Sequence, residues 1–567
     1  MVPRHLRASA AVLAGGVVPF LLARVAAASS ALPALGVLQG PMGVVLLALA
    51  GGVALARTVR LRWPRPPGSV ALFAASLSLY LLVGLPYTSR LQVSGDEPYY
   101  LLMAQSLWRE HDLDLQDNFA REDWREYTPG PLSTHYGAPR RDGRPYPNHS
   151  PGLPVLLAPV YAVGGRAACV VLMSLLAALL GLEVRRMAWR LTGDRAAAFL
   201  AGAAAAGPPV CFYAFHLYTE VPSALCLAAG LNLLLGAPGV AEAGLAALLA
   251  SFLPWLHVKM IPAAAALGVV ALGRLRGPAR AVFLIVAGTM ALGDLAYYRH
   301  VFGQSTPLAL YGGVVPEAAR SSPVSAVLGF LLDRSFGLLP HAPVFLIAAL
   351  GLVLLGARAR QDAWPHLLTG LAVLAPLLTW RMWWGGQCPP GRFLVPLVPV
   401  LAAALALRAA QPVRGLARWR GPLLALGVAL AGFMAADPGG LMLLNRGNRP
   451  TRVWAELSGE TPIGRYLPAL TLPDAAEWRV ALLWVLALGT LVALDRLARD
   501  HDRIDEWFRG LVLPVLLLLA VGAGVDAWAR PPAPLGGNGA PGPLGGSGAP
   551  EDQLLSLSCQ RSFSRIA

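Results

Sequence analysis

The sequence has little charge and almost no lysine. Of its 567 residues, 56% are hydrophobic and only 14% are charged, and the mean hydropathy is +0.56. This composition excludes an ordinary soluble protein. It also excludes a disordered chain, despite 60 glycines and 49 prolines, because disorder requires low hydrophobicity. Lys259 is the only lysine, so the other 45 basic residues are arginines.

Cysteines and nucleotide-binding motifs are also scarce. The five cysteines are an odd number without metal-type spacing, so they predict no disulfide framework. The sequence has no Walker-type or dinucleotide-binding loop, and no soluble stretch large enough to hydrolyse a nucleotide. Any energy source for a reaction must therefore arrive with a substrate.

Apolar runs recur along the whole chain, and a bilayer core of about 30 Å needs about 20 helical residues to cross it. We therefore predict an all-α polytopic membrane protein with about 13–15 transmembrane helices. The predicted helices lie near residues 8–28, 36–56, 69–88, 155–182, 196–214, 219–236, 243–257, 260–273, 281–299, 340–356, 364–380, 393–408, 421–436, 479–494 and 510–528. The short pair between 243 and 273 could be one broken or re-entrant unit.

Arginines cluster after the even-numbered predicted helices, and positive residues near helix ends are retained in the cytoplasm. The net charge of +15 is therefore a topology signal and not evidence of nucleic-acid binding. The long loops 89–154, 300–339 and 437–478 then lie outside, and the first carries ten acidic residues and seven arginines. We predict a membrane domain over 1–528, with the first loop catalytic, and a flexible Gly/Pro-rich tail over 529–567.

Two adjacent carboxylates follow the third predicted helix, in the segment SGDEPYYLLMAQSL. Asp96 and Glu97 are held between Gly95 and Pro98 at the outer membrane surface. A carboxylate there can accept a proton from an incoming hydroxyl or amine, as a general base does. The alternative is that both acids cap the following helix, whose N-terminus favours anions.

An acidic pair in the first large external loop resembles the signature of GT-C glycosyltransferases, polytopic enzymes that use polyprenyl-phosphate sugars. The segment His149–Pro154 resembles the HPP or KPP segment of protein O-mannosyltransferases and aminoarabinose transferases (glycosyltransferase family 39-like), with Gly152 in place of the second proline. Further segments similar to bacterial members of this group are 215–220, 253–259, 333–340, 383–386 and 390–393. The resemblance spans roughly residues 70–400.

The resemblance implies a GT-C-like helix bundle with a large first extracytoplasmic loop. It implies an enzyme that moves a hexose or pentose from a polyprenyl-phosphate donor to a lipid, glycan or protein acceptor by inverting displacement. The protein would be a multi-pass, mannosyltransferase-like protein of the bacterial cytoplasmic (inner) membrane, with its active site on the extracytoplasmic side and no nucleic-acid partner.

Direct displacement needs a base for the acceptor and cations for the departing phosphate. We predict that Asp96 is the base and that Glu97 orients it, binds the acceptor or ligates a metal. Like charges this close oppose joint ionisation, so a divalent cation (Mg²⁺, Mn²⁺ or Zn²⁺) could be a cofactor. Its candidate ligands are Asp96, Glu97 and Glu220.

Lys259 and Arg392 are the main candidates for binding the phosphate. In a chain that otherwise uses arginine, one compact ammonium at a membrane position suggests a geometric demand that arginine would not meet. The alternative for Lys259 is snorkelling to the outer headgroups. Further substrate-binding candidates are His149, Glu220, His257, Tyr311, Arg334 and Trp384.

These further candidates have structural alternatives as well. Glu220 could cap its helix, and His257 could be a hydrogen-bonded structural histidine. Arg334 could pair with a nearby acid, either Asp333 or Glu317. The aromatic candidates could belong to the interfacial belt of a membrane protein.

A transporter or lipid flippase of the cell envelope is the alternative class. It predicts internal repeats and charges distributed along a pathway, whereas the sequence shows no repeat and places its charged candidates at outer helix ends. A non-catalytic scaffold would leave the acid–base residues unexplained. The enzyme hypothesis requires Asp96, Glu220, Lys259 and Arg392 to meet around one external cavity.

Overall fold

The computed structural model consists mainly of helices. The described residues are 4–58, 66–90, 93–128, 130–311, 322–358, 363–412, 419–437, 440, 442–447, 451–497 and 513–530. Nearly all of the predicted tail, Glu317 and several arginines of the topology pattern lie outside the described residues.

The described part of the chain contains no β-strand, only two isolated antiparallel bridges, which pair Tyr136 with Pro147 and Cys388 with Asn445. The α-helices are α1 (Arg4–Leu22), α2 (Ala26–Ala31), α3 (Pro41–Thr58), α4 (Ser69–Arg90), α5 (Glu97–Arg109), α6 (Gln116–Ala120), α7 (Gly152–Thr192), α8 (Arg195–Ala206), α9 (Val210–Tyr213), α10 (Glu220–Leu235), α11 (Val240–Leu256), α12 (Ile261–Arg274), α13 (Gly277–Phe302), α14 (Pro323–Leu332), α15 (Leu338–His341), α16 (Leu346–Ala357), α17 (Trp364–Leu374), α18 (Val398–Ala409), α19 (Arg420–Ala435), α20 (Arg452–Leu457), α21 (Ala475–Leu497) and α22 (Leu513–Gly524). Short 3-10 helices cover Pro33–Gln39, Asp123–Glu126, Val258–Met260, Pro307–Tyr311, Pro343–Phe345, Ala375–Leu377, Arg392–Leu397 and Ile463–Arg465, and a π-helical turn covers Val525–Ala529. The predicted all-α class is confirmed.

Five helical segments are long and apolar enough to cross a membrane. They cover Ser69–Ser89, Gly152–Thr192, Gly277–Tyr311, Arg392–Ala409 and Ala475–Ala493. A sixth span results if the two helices on either side of Gly40, bent by 77°, count as one. Nine shorter apolar helices of 10–17 residues accompany them in the described residues. The chain is thus a multi-pass membrane protein by length and composition, and the count of 13–15 stays a prediction.

The spans differ in how much protein surrounds them. The span that ends in α18 is 83% buried, and α18 packs against α7, α8 and α16, so it lies at the centre of the bundle. The spans that begin at Ser69, Gly277 and Ala475 are only 17–22% buried and leave apolar side chains exposed, as lipid-facing helices do. The central span is therefore the one that begins at Arg392.

The predicted helices between residues 243 and 273 are two separate helices. α11 and α12 are joined by the 3-10 turn Val258–Met260, which places Lys259 at the junction. The predicted helix 155–182 corresponds to two helical arms of α7, separated by non-helical backbone at Gly164 and Gly165, and the second arm continues to Thr192.

Gly152 explains how α7 approaches α11. A Cβ atom on Gly152 would lie 2.5 Å from the backbone oxygen of Trp255, so only glycine allows this contact. The departure from the proline pattern in the segment His149–Pro154 therefore has a packing reason. The contact brings the segment that contains His149 close to the end of α11 and the turn that carries Lys259.

Candidate active site

Asp96 lies immediately before α5 and is positioned by the glycine that precedes it. Gly95 has φ +59°, and a Cβ atom there would lie 2.4 Å from the hydroxyl oxygen of Tyr218. The carboxylate of Asp96 makes no capping hydrogen bond to α5 and instead forms an ion pair with Arg392. The capping alternative for Asp96 is therefore wrong.

Four charged side chains alternate in sign from the loop before α5 into the bundle, in the order Asp96, Arg392, Glu220 and Lys259. The Nε atom of Arg392 lies 3.2 Å from Oε1 of Glu220, and the Nζ atom of Lys259 lies 2.7 Å from the same oxygen. The exposed fraction of the side chain is 24% for Asp96 and falls to 5% for Arg392 and 0% for Glu220. We call these four residues the charge row; its exposed end is Asp96.

Arg392 and Lys259 are fixed by aromatic rings as well as by Glu220. The guanidinium of Arg392 lies 4.2 Å from the centroid of the Tyr218 ring, and its Nη1 donates a hydrogen bond of 2.7 Å to the Gly385 carbonyl. The ammonium of Lys259 lies 3.9 Å from the centroid of the Phe393 ring. Cation–π contacts of this kind hold a charge in place without neutralising it. Lys259 is paired with Glu220, and only 11% of its side chain is exposed.

Glu97 is buried and its carboxylate is bound to the backbone. One oxygen accepts the N–H of Ser94 at 3.1 Å, and the other accepts the N–H of Leu217 at 2.9 Å. These bonds tie the start of α5 to the segment that precedes α10. Of the roles predicted for Glu97, orienting Asp96 is the one that fits these contacts.

His149 lies beside Asp96 and is packed among aromatic rings. Its ring centroid is 4.8 Å from that of Tyr100 and 5.3 Å from that of His135. Burial lowers the pKa of His149 to about 3, with Asp96 opposing this shift, so the imidazole is neutral at physiological pH. It can therefore donate or accept a hydrogen bond or ligate a metal, but it adds no positive charge for a phosphate.

His257 has the structural role that was its alternative. Its Nδ1 accepts the backbone N–H of Lys259 at 3.2 Å and so closes the turn between α11 and α12. A contact between His257 and substrate stays a prediction.

The remaining predicted residues lie outside the charge row. Tyr311 packs against the apolar cluster formed by Tyr146, Tyr298, Val301, Ala309 and Leu310. Arg334 donates to the Gly464 carbonyl at 3.3 Å, in the segment before α21. Trp384 packs against Trp383 and Phe336, with ring centroids 5.8 Å and 6.5 Å apart. Substrate binding by these three residues stays a prediction.

The structure brings three further residues to the site. Tyr218 and Phe393 lie in segments that carried the family resemblance, so their position next to Glu220 and Arg392 in the sequence was a usable signal. His135 gave no such signal. It reaches Asp96 and His149 only because the bridge between Tyr136 and Pro147 pairs two stretches of the loop.

The structure does not group the predicted metal ligands Asp96, Glu97 and Glu220 together. Both oxygens of Glu97 accept backbone N–H groups, and Oε1 of Glu220 is shared by two cations. Within the described residues, Asp96, His135 and His149 form a group whose potential ligand atoms all lie within 4.8 Å of one another.

The charge row can perform two tasks. Burial opposes ionisation of Asp96, but Arg392 outweighs it and holds the pKa of this carboxyl well below its usual range. Asp96 is thus an ionised acceptor, and Glu220 fixes two cations whose summed charge exceeds its own. If the carboxylate of Asp96 leaves Arg392 and binds an acceptor substrate instead, the other three residues of the charge row carry a net charge of about +1. They can then bind an anion.

Comparisons with known proteins give a likeness at the level of the fold. Neither a protein-family model nor a curated protein sequence matches this chain. ArnT from Cupriavidus metallidurans, solved with undecaprenyl phosphate, is 15% identical, with a TM-score of 0.43 over 80% of this chain and 76% of ArnT. The Archaeoglobus fulgidus oligosaccharyltransferase, solved with a tethered acceptor peptide, is 14% identical, with a TM-score of 0.41 over 73% of this chain and 57% of that one.

The arabinosyltransferase EmbB from Mycobacterium smegmatis is 16% identical, with a TM-score of 0.40 over 85% of this chain and 44% of EmbB. The chain thus spans about three quarters of ArnT and about half of the other two proteins. This chain is similar to these three transferases at the identities and TM-scores given.

Proposed function

We propose that this protein is a glycosyltransferase that moves a hexosyl or pentosyl group from a polyprenyl-phosphate donor to an acceptor outside the cytoplasm. The observation that carries the proposal is the charge row. A half-buried carboxylate and two buried cations, from segments almost 300 residues apart, meet at the start of the central helix.

In the proposed step, Asp96 removes the proton of the acceptor hydroxyl or amine. The acceptor atom then bonds to the anomeric carbon of the sugar, the bond from that carbon to the phosphate oxygen breaks, and the phosphate leaves with the electron pair. Attack from the face opposite the phosphate inverts the anomeric centre. Arg392 and Lys259 stabilise the negative charge that develops on the leaving phosphate.

Donor binding activates the base in this scheme. With its pKa lowered by Arg392, Asp96 is a weak base, and efficient base catalysis needs a pKa nearer to the working pH. A phosphate bound to Arg392 competes with Asp96 for the guanidinium. The pKa of Asp96 then rises, so proton transfer becomes favourable only when the donor is present.

The bundle also offers a path for the lipid chain. A cavity of about 310 Å³ lies between α11, α12 and α13, and it is lined mainly by apolar side chains, among them Pro254, Ile261 and Phe283. Pro254 and Ile261 flank the turn that carries Lys259. We therefore propose that the isoprenoid chain lies in this cavity, with its phosphate at Lys259.

The proposed location is the bacterial cytoplasmic membrane, with the site on the extracytoplasmic side. Polyprenyl-phosphate sugars supply the energy of transfer through the bond to phosphate, which agrees with the absence of a nucleotide-binding motif in the sequence. The acceptor is a lipid, a glycan or a protein.

The direct test is to incubate the purified full-length protein with radiolabelled polyprenyl-phosphate sugars and a membrane extract as the acceptor source. We expect transfer of label with release of polyprenyl phosphate. D96N should abolish turnover while leaving donor binding and expression largely intact, and D117N, in the same loop and exposed, should transfer normally. Transport of the lipid without cleavage of its sugar would instead favour a flippase, and full activity of D96N would remove Asp96 from the base role.

A further inference from the structure

The cavity between α11, α12 and α13 has in its wall a carboxylate that none of the roles above uses. Asp294 of α13 lines this cavity, whose other lining side chains are almost all apolar. Only 5% of the residue is exposed, and its Oδ1 atom is buried without a hydrogen-bond partner among the described residues. A polar group left in this way inside a cavity indicates a bound molecule that would pair with it.

Asp294 lies near one end of the cavity, close to a group of aromatic side chains. The Trp255 and Tyr297 rings are 5.7 Å apart between centroids, and the hydroxyl of Tyr297 is hydrogen-bonded to that of Tyr146 in the first loop. Tryptophan and tyrosine at the ends of membrane helices mark the level of the lipid headgroups. Asp294 is one helical turn below Tyr297, and the cavity extends from there along α13 to Phe283, about 16 Å farther.

The cavity opens between α12 and α13 toward the surface that faces lipid. α13 packs along α11 but makes few contacts with α12. Ile261 of α12 and Leu295 of α13 both line the cavity and are exposed, one on each side of the opening. A ligand can therefore enter sideways from the bilayer, and the apolar lining requires that it carry a hydrocarbon chain.

The carboxylate determines which kind of lipid fits. An ionised carboxylate at this depth is costly without a cation, and no basic side chain of the described residues lines the cavity. The phosphate of the proposed donor is an anion, so the donor cannot supply that cation. The Nε1 atom of Trp255 is likewise buried without a hydrogen-bond partner. A fitting lipid therefore offers a cation with N–H donors to Asp294 and an acceptor oxygen to Trp255.

We infer that this cavity binds a phospholipid with a primary ammonium headgroup, of the phosphatidylethanolamine class, whose ammonium pairs with Asp294. The ammonium donates charge-assisted hydrogen bonds to the carboxylate. Phosphate or ester oxygens of the same lipid accept from Trp255, and an acyl chain fills the apolar part of the cavity. A choline headgroup has the charge but no N–H donor, and a glycerol headgroup leaves the lipid with a net negative charge, so both fit less well.

The inference rests on the proposed function in one respect only. The isoprenoid chain of the donor is proposed to use the same cavity, so donor and phospholipid would exclude each other. The phospholipid would then keep the cavity filled until a donor molecule replaces it. Binding of the phospholipid itself does not depend on sugar transfer.

The experiment uses the full-length protein, delipidated in detergent and titrated with dioleoyl phosphatidylethanolamine, phosphatidylcholine or phosphatidylglycerol, with bound lipid counted by native mass spectrometry. We expect one phosphatidylethanolamine to bind at least tenfold more tightly than either other lipid. D294N should lose this preference and bind phosphatidylethanolamine at least tenfold more weakly, and W255F should weaken binding by a smaller factor. D117N, the same change at an exposed acid of the first loop, is the matched control and should bind normally.

D294N is expected to fold, because the substitution removes an unpaired charge from the membrane. Without lipid its melting temperature should equal or exceed that of the wild-type protein. Equal affinity for the three lipids, a preference for phosphatidylglycerol, or undiminished binding of phosphatidylethanolamine by D294N overturns the inference.

Added polyprenyl phosphate should displace the bound phosphatidylethanolamine, and simultaneous binding of both would overturn their mutual exclusion. Failure of the lipid site leaves the glycosyltransferase proposal standing, because transfer of labelled sugar tests that proposal separately. Conversely, selective phosphatidylethanolamine binding without transfer from any polyprenyl-phosphate sugar would sink the glycosyltransferase proposal and support the lipid site.

Discussion

A substitution at Lys259 can test whether this position requires a lysine ammonium or accepts any positively charged side chain. Its compact ammonium shares one oxygen of Glu220 with Arg392 and lies over the ring of Phe393. A planar guanidinium at position 259 would crowd that ring and compete with Arg392 for Glu220. We expect K259R to lower kcat/KM for the lipid donor roughly tenfold or more, which corresponds to a loss of about 1.4 kcal/mol in the transition state.

The control is the opposite charge-conserving change, R125K, at an exposed arginine of the first loop, which should leave transfer unchanged. If K259R works as well as the wild-type protein, the position requires only a positive charge and the geometric argument fails.

Arg392 is the residue on which the stability of the charge row depends most. It pairs with both carboxylates, so R392Q leaves Asp96 without its ion-pair partner and Glu220 with Lys259 alone. Removing one partner of a buried ion pair costs about 3–5 kcal/mol. We expect R392Q to lower the melting temperature of the detergent-solubilised protein strongly, and the double variant D96N/R392Q to melt at a higher temperature than R392Q. Additive effects of the two changes would show that Asp96 and Arg392 are not coupled.

Residue chemistry made part of the site predictable. Charged side chains next to long apolar runs are expensive unless they are paired, so Asp96, Glu220, Lys259 and Arg392 stand out from the sequence. The sequence could not predict that Asp96 pairs with Arg392 whereas Glu97 binds backbone N–H groups. This difference depends on the left-handed turn at Gly95, which directs one carboxylate to Arg392 and leaves the other to bind backbone N–H groups.

At the scale of elements, Gly152 sets the distance between α7 and α11. We expect G152A to force the start of α7 away from the Trp255 carbonyl, because that carbonyl is rigid backbone and a Cβ atom would lie 2.5 Å from it. Overpacking of this kind costs about 1–3 kcal/mol. The shift would also move His149 relative to Lys259, so transfer activity should fall together with the melting temperature.

The matched control is G288A in α13, where an added Cβ atom meets nothing within 4 Å. Alanine favours a helix over glycine by up to about 1 kcal/mol, so G288A should be neutral or slightly stabilising. A G152A variant as stable and active as G288A would contradict the close approach.

Helix positions were more predictable than helix lengths. Hydropathy separates α11 from α12 at the polar pair His257 and Lys259, and the structure has its turn there. The same signal could not show that α7 extends to Thr192, because the extension past residue 182 is amphipathic and packs against α8. Nor could it predict the kink at Gly164 and Gly165, since glycine is also common in straight membrane helices.

At the scale of the whole molecule, helix ends distant in sequence meet on the side that carries the charge row. Glu220 begins α10, Arg392 begins the central span, and Lys259 follows the end of α11. Successive membrane crossings of one chain run in opposite directions. The start of α10, the end of α11 and the start of the central span can therefore lie on one side only if the crossings between them alternate accordingly. The arginine pattern predicts that this side is the outer one.

The last two described helices agree with this order. Glu477, at the start of α21, pairs with Arg530, which follows α22, at 2.5 Å. Asp526 accepts from Arg465 at 2.9 Å and from the hydroxyl of Tyr466 at 3.0 Å. α21 and α22 are therefore antiparallel, and the end of α22 is bound to the segment before α21.

α7 gives the sharpest test of this topology. Its kink divides it into an arm of about 18 Å before Gly164 and an arm of about 40 Å after Gly165, at 1.5 Å per residue, and only the second is long enough to cross a bilayer core of about 30 Å. Asp117 and Arg186, both exposed, should thus lie on opposite sides of the membrane. In a variant without its native cysteines, D117C should react with an impermeant maleimide in intact cells, and R186C only after permeabilisation. The reverse pattern would place Asp96 and the charge row on the cytoplasmic side, where the proposed extracytoplasmic transfer could not take place.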